Sequence, residues 1–254
     1  MLEKININNQ DLNVFYNKKY KHSSESNTYF ALYKNNEKII KLFKEEENIE
    51  NKINKIKLLK DRLKNTSNVV TADAFITDKD KIIGYIMPYI NGKNKYYTEV
   101  MSKKDAINYL KELSKLIKRL HKLNIILADF HSNIITGENN NLYLIDHDNF
   151  SIDNLSVDKK NIYLQKYEKN INKFDNHFDY YMLNIYTISL LKRINTPSIY
   201  DLYDKNPLDF NFKDTEINNI FNNTMNLNKR YEEELIIDKI KSSKDLKKIR
   251  TKLF

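Results

Sequence analysis

Asp129 and Asn133 in the stretch Leu127-Ala-Asp-Phe-His-Ser-Asn133, and Asp146 closing Leu142-Tyr-Leu-Ile-Asp146, could do chemistry together. The first two sit in a short polar loop. The third ends what reads as a β-hairpin. A loop followed by a hairpin brings three oxygen-bearing side chains to the ends of adjacent strands. Carboxylates and a carboxamide gathered in this way can orient an attacking hydroxyl and hold magnesium ions that bridge nucleotide phosphates. Upstream, Lys41 stands within the apolar run Ile39-Ile-Lys-Leu-Phe43, ahead of an acidic stretch that opens a helix. A lysine among apolar neighbours needs a partner if it is buried at all.

These residues need elements to position them. Asn27 to Tyr33 and Lys38 to Phe43 are rich in aromatic and β-branched residues, with a turn at Lys34-Asn-Asn-Glu37, and predict a hairpin. Over 45–64 the pattern changes to helical, with Ile49, Ile53, Ile56, Leu59 and Leu63 along one stripe. Strands are expected at 72–77 and 81–87, joined by Asp78-Lys-Asp80. Ser102, with Asp105 three residues later, predicts a capped helix running to Leu123 through Ile107, Leu110, Leu113, Ile117 and Leu120. The hairpin 134–136/142–145 turns at Gly137-Glu-Asn-Asn-Asn141. Residues 178–193 are densely apolar and predict a buried helix, and about three amphipathic helices are expected in the remainder. Residues 1–20 read as a helical or irregular extension. Only three Gly and three Pro occur, so Asn, Asp and Ser must make most turns.

Composition narrows the classes. A chain of 254 residues with 41% hydrophobic and 30% charged residues can bury a sizeable core. The lack of Cys excludes a disulfide scaffold, a thiolate zinc site and a Cys nucleophile. No apolar run reaches the length of a membrane span and no signal-peptide core opens the chain, so a cytoplasmic protein without a membrane partner is expected. The net charge of +9 comes from scattered Lys, without an Arg-rich stripe or interleaved aromatics, so no specific nucleic-acid partner is expected. The five His show no metal-ligand spacing.

In the order of its elements and in these motifs, the chain resembles the protein-kinase-like superfamily, over roughly residues 15–240. The resemblance implies an α+β, bilobal fold forming a single domain over 1–254. A small β-rich lobe with one helix would span about 15–90, and a mainly helical lobe 91–254. It implies ATP and Mg2+ as cofactors. Asp129 would be the catalytic carboxylate. Lys41 would contact phosphates and pair with Glu50 of the following helix, with Glu46 and Glu47 as competitors. Asn133 and Asp146 would hold metal, helped by Asp148. Ser23, Ser24 and Ser26 would line the phosphate loop. Met87 would stand at the gatekeeper position, and backbone groups of Pro88, Tyr89 and Ile90 would face adenine. Asp179, opening the apolar helix, would bind the backbone of the catalytic loop.

The chain departs from the family pattern in several places. Its phosphate loop His22-Ser-Ser-Glu-Ser26 has no Gly, and three residues rather than four separate Asp129 from Asn133. His131 is similar to the Asp-x-His loops of aminoglycoside- and choline-phosphotransferase-like enzymes. The ending Asp146-His-Asp-Asn-Phe150 replaces Asp-Phe-Gly, and resembles both divergent bacterial protein kinases and small-molecule kinases. No Ala-Pro-Glu-like motif lies between Phe150 and Asp179. The leading expectation is a serine/threonine protein kinase, because residues 93–101 leave little room for inserted substrate-pocket helices. The alternatives are a kinase acting on a small-molecule alcohol and a catalytically impaired scaffold.

Overall fold

Two residues at each of two turns take left-handed backbone that neither Gly nor Pro supplies. Lys34 and Asn35 (φ 48° and 61°) connect β3 to β4, and Lys79 and Asp80 (φ 45° and 65°) connect β5 to β6. Positive φ at both central residues matches the right-handed twist of the strands they join. A computed structural model describes residues 2–22, 26–44, 49–93, 101–128, 133–138, 140–153, 155, 176–192, 212–225 and 234–249. It is a mixed α and β chain that divides into two compact units. One comprises Met1–Gly92 and Ile135–Asp148. The other comprises Lys93–Ile134, Asn149–Asp153 and most of the chain beyond.

The first unit is built on a six-stranded sheet. Its strands are β1 (Glu3–Asn6), β2 (Leu12–His22), β3 (Ser26–Tyr33), β4 (Asn36–Phe43), β5 (Ala74–Asp78) and β6 (Lys81–Pro88), in the order β1-β5-β6-β4-β3-β2. All neighbours are antiparallel except β1 and β5, which run parallel with Ile5 opposite Ile76. Residues 1–20 are therefore not helical or irregular. They supply two strands, anchored by buried Ile5 and Leu12. One face of the sheet buries Ile40, Ala74, Ile76 and Ile86. The other buries Ile39, Phe75, Tyr85 and Met87 against Ile56 of helix α1 (Ile49–Arg62). Period-2 alternation on β4 thus places Ile39, Lys41 and Phe43 on the side of α1.

Strand β7 (Gly92–Lys93) closes the first unit's part of the chain, and a three-stranded sheet has the order β10-β9-β7. Of its other strands, β9 is Ile134–Gly137 and β10 Leu142–Leu144. Their turn is closed by Gly137 N–H to Asn141 O at 2.9 Å and by Asn140 in left-handed backbone. The expected lobe boundary near residue 90 assigned this hairpin to the C-terminal half. It groups with the N-terminal unit instead, because backbone bonds tie it there. Val70 N–H donates to Leu144 O (2.8 Å), Leu144 N–H to Asn68 O (2.8 Å), and the Asn68 side chain to Leu142 O (2.7 Å).

The second unit is mainly helical. Helix α2 (Lys103–His121) starts where expected, with the Ser102 hydroxyl accepting from Asp105 N–H at 3.1 Å. All five apolar positions of its predicted stripe are buried. The two-residue strands β8 (Ile125–Ile126) and β11 (Ser151–Ile152) pair antiparallel. Helix α3 (His177–Lys192) is buried nearly all round, as its continuous apolar run requires. After it come helix α4 (Thr215–Met225) and two 3-10 segments, Ile236–Lys239 and Ser243–Ile249. Buried Asn184 of α3 pins these parts together. Its amide donates to Thr224 Oγ1 (2.8 Å) and Glu234 O (3.1 Å), and its carbonyl accepts from Ile236 N–H (2.8 Å). No helix among the described residues is long and apolar enough to cross a membrane.

Candidate functional site

Lys41 is almost wholly buried, and its ammonium is held by two carboxylates from the far end of the β9–β10 hairpin. It donates to Asp146 Oδ1, to Asp148 Oδ1 at 2.8 Å and to Asp148 Oδ2 at 2.9 Å. These contacts account for the burial of a lysine within an apolar strand, since three N–H donors meet charged acceptors. Burial pulls the Lys41 pKa down, but Asp146 and Asp148 outweigh it and hold the amine well above its ordinary value. Burial likewise pushes the Asp148 carboxyl up. The ammonium of Lys41, then His147 and Lys52, outweigh that and keep it well below the usual carboxylate range. The cluster is thus an ion triad built around a charged Lys41–Asp148 pair.

Its walls come from the sheet and the hairpin end. Tyr85 of β6 lies opposite Lys41 of β4, with the Lys41 ammonium 6.0 Å from its ring centroid. Burial drives the Tyr85 hydroxyl well above its ordinary pKa, so it stays neutral. His147 is fully buried and meets Tyr85 edge-on at 5.4 Å between ring centroids. Burial, against the opposing pull of Asp148, lowers His147 to about 4. Neither of its ring nitrogens has a hydrogen-bond partner among the described residues. Asp146 takes left-handed backbone at φ 66°, a strained conformation for a residue with a side chain, and keeps 18% of its side chain exposed. The Asp148 side chain is 0% exposed.

The other expected site residues fall into three groups. Ser23, Ser24, Glu46, Glu47, Asp129 and His131 lie outside the described residues. Ser26 is buried at the start of β3 opposite Phe43, and Met87 is buried opposite Ile39. Pro88 ends β6, where it needs no ladder donor beyond the sheet. The Tyr89 N–H, expected to face a base, instead donates to Glu37 O at 3.4 Å. Glu50 does not meet its expectation as the partner of Lys41. It is exposed in the first turn of α1, and the ion-pair partners of Lys41 among the described residues are Asp146 and Asp148. The physical reason is helical phase. The side of α1 turned inward carries Lys52, Lys55, Ile56 and Leu59, and Glu50 lies off it.

In the second unit, Asn133 is buried immediately before β9. Asp179 opens α3 as expected and does bind loop backbone. It accepts from Leu127 N–H (2.8 Å) and Ala128 N–H (3.0 Å), and lies 2.8 Å from His121 Nε2. Ala128 sits at φ 62°, so these bonds hold an alanine in a conformation it resists, one residue before Asp129. Tyr85, His147 and Lys52 were missed from the sequence. Tyr85 carried a readable signal, its place on the strand face shared with Met87. The other two carried none.

Magnesium binds through one or two carboxylates together with substrate phosphates, and keeps several waters. The partly exposed Asp146 carboxylate fits that demand. No protein-family model and no curated protein matches the chain.

Proposed function

We propose that this chain is an ATP- and Mg2+-dependent phosphotransferase of the protein-kinase-like fold, transferring the γ-phosphoryl group to a serine or threonine hydroxyl of a protein. The observation that carries the reading is the pairing of Lys41, from the third strand of an antiparallel run, with Asp146 at the end of the hairpin that follows the polar loop. A strand lysine brought beside a hairpin aspartate suits a site in which the one would meet phosphate and the other a phosphate-bound metal. The anchoring of the loop backbone by Asp179 adds to it.

In this reading Lys41 would bind the nucleotide phosphates and Asp146 would hold the metal, a role the resemblance also gives Asn133. Bound Mg2+ would neutralise charge on the β- and γ-phosphates. Asp129 orients the acceptor hydroxyl and takes its proton as the oxygen bonds to the γ-phosphorus. The bond from that phosphorus to the bridging oxygen breaks, and ADP leaves. With both Asp148 oxygens on Lys41, the small-molecule alternative rests on the Asp-x-His likeness of His131.

The test is incubation of the purified chain with radiolabelled ATP, Mg2+ and a generic protein substrate. Label in protein that disappears in Asp129→Ala supports the reading. Label that survives the substitution assigns it to a contaminant, and turnover only with sugar or amino-alcohol acceptors moves the activity to small molecules. A thermal shift with MgATP and no turnover identifies a scaffold.

A further inference from the structure

We propose that Asp148 is the positioning residue of Lys41, in the role expected of a carboxylate on α1, and that of the two hairpin aspartates Asp146 alone meets metal and phosphate. The inference rests on the phosphotransferase reading for its second half only, since the pairing is a property of the first unit by itself.

The two aspartates differ in geometry. Asp148 turns both oxygens to the ammonium at 2.8 and 2.9 Å and has no exposed side-chain surface. Asp146 offers one oxygen to Lys41 and keeps part of its carboxylate in solvent. A hydrated dication dehydrates reluctantly and cannot enter a closed space already holding an ammonium. The surroundings of Asp148 point the same way. Lys52, on the inward side of α1, is buried with its ammonium 5.5 Å from the Phe43 ring centroid, and its charge acts on Asp148. Helix α1 therefore brings a cation toward the triad. A second cation on that side opposes a metal at Asp148 by charge repulsion. Lys41 and Asp148 stand on β4 and just past β10, within one compact unit, so the lysine is set without any carboxylate from α1.

The experiment labels the full, nucleotide-free chain with a small amine-acylating reagent at fixed pH and reads modification of Lys41 by mass spectrometry. Asp148→Asn is expected to raise Lys41 modification about tenfold, short of the loss of a whole buried pair because Asp146 still meets the ammonium. Asp146→Asn should raise it less than about threefold, because both Asp148 oxygens still hold the ammonium. Glu50→Gln, at an exposed position, should leave it at the wild-type level. Lys55, buried on α1, reports folding in the same spectra. Should Asp148→Asn expose Lys55 as well, the other two variants decide the matter. Lys41 protected in both supports the assignment, and Lys41 exposed in either overturns it. An unchanged Lys41 in folded Asp148→Asn overturns it too.

A parallel titration of ATP binding against Mg2+ tests the division of labour. Asp146→Asn should raise the Mg2+ half-saturation, and Asp148→Asn should weaken ATP with and without Mg2+ alike. An equal Mg2+ shift in both variants makes Asp148 a metal ligand and ends the proposal. If the wild-type chain binds no MgATP, the phosphotransferase reading fails, while the labelling still decides which carboxylate sets Lys41.

Discussion

A side chain on Gly84 would collide with Lys41. A Cβ built there lies 2.2 Å from the Lys41 carbonyl oxygen and 3.0 Å from Leu42 Cα. The contact is backbone to backbone across β4 and β6, so no rotamer change relieves it. Gly84→Ala should therefore spread these strands, displace Lys41 and destabilise the chain by about 3 kcal/mol. Urea unfolding measures it, and a midpoint equal to wild type would show that the strands are not packed this closely.

Lys41→Met tests the triad. It leaves Asp148 buried without its ammonium, and removing one member of a buried pair costs about 3–5 kcal/mol. The double variant Lys41→Met/Asp148→Leu should recover most of that loss, because apolar residues of similar size can replace a buried pair. A single variant as stable as wild type would mean that the pair does not exist in solution.

The pH dependence of stability separates His147 from Asp148. His147 is held near 4 when folded, against 6.5 ordinarily, by burial. Between those values the unfolded chain binds the extra proton, so stability rises with pH through the window and is lost as pH falls. The loss from pH 6.5 to 4 should be roughly 3 kcal/mol, and His147→Phe should flatten it. Groups facing His147 that bear on the value are Asp148, Lys41, Asp146 and Lys60. The depressed Asp148 contributes stability above its unfolded value of about 3.8, lost only as pH falls below it. Chemical denaturation at stepped pH reads both windows, and an identical slope in His147→Phe would remove His147 from the account.

Asp179→Ala should cost about 2–4 kcal/mol, because the buried amides of Leu127 and Ala128 lose their acceptor. Under the proposed function, phosphotransfer should fall with it. Ala128→Gly should be nearly neutral, within about 1 kcal/mol, since glycine accepts positive φ. Ala128→Val should be worse than Ala128→Gly by about 2 kcal/mol. Thermal unfolding of the three variants checks the order.

Periodicity and turn chemistry carried far in the reading of elements. The α2 stripe, its Ser102 cap, the buried α3 helix and both two-residue turns are local features, and each was visible within a window of about a dozen residues. The N-terminal strands were not. Strand β1 has four residues with a single buried one, and only its pairing with β5, some seventy residues on, makes it a strand. A parallel partner so distant leaves no mark on a short polar segment.

By itself the sequence determined that Lys41 needs a counter-ion and that a hairpin ending in two aspartates, Asp146 and Asp148, is available. It could not say which carboxylate the lysine takes. Glu50 of α1 and the hairpin aspartates were equal candidates by type, and the nearer was the natural expectation. Tertiary structure decided for the farther ones, more than a hundred positions along the chain. Helical phase turns Lys52 inward and leaves Glu50 in solvent, while the hairpin's backbone bonds to residues 68–70 carry Asp146 and Asp148 to the lysine. Residue type specifies which charges can attract one another, and only the packing of strands and helix sets the distances at which they do.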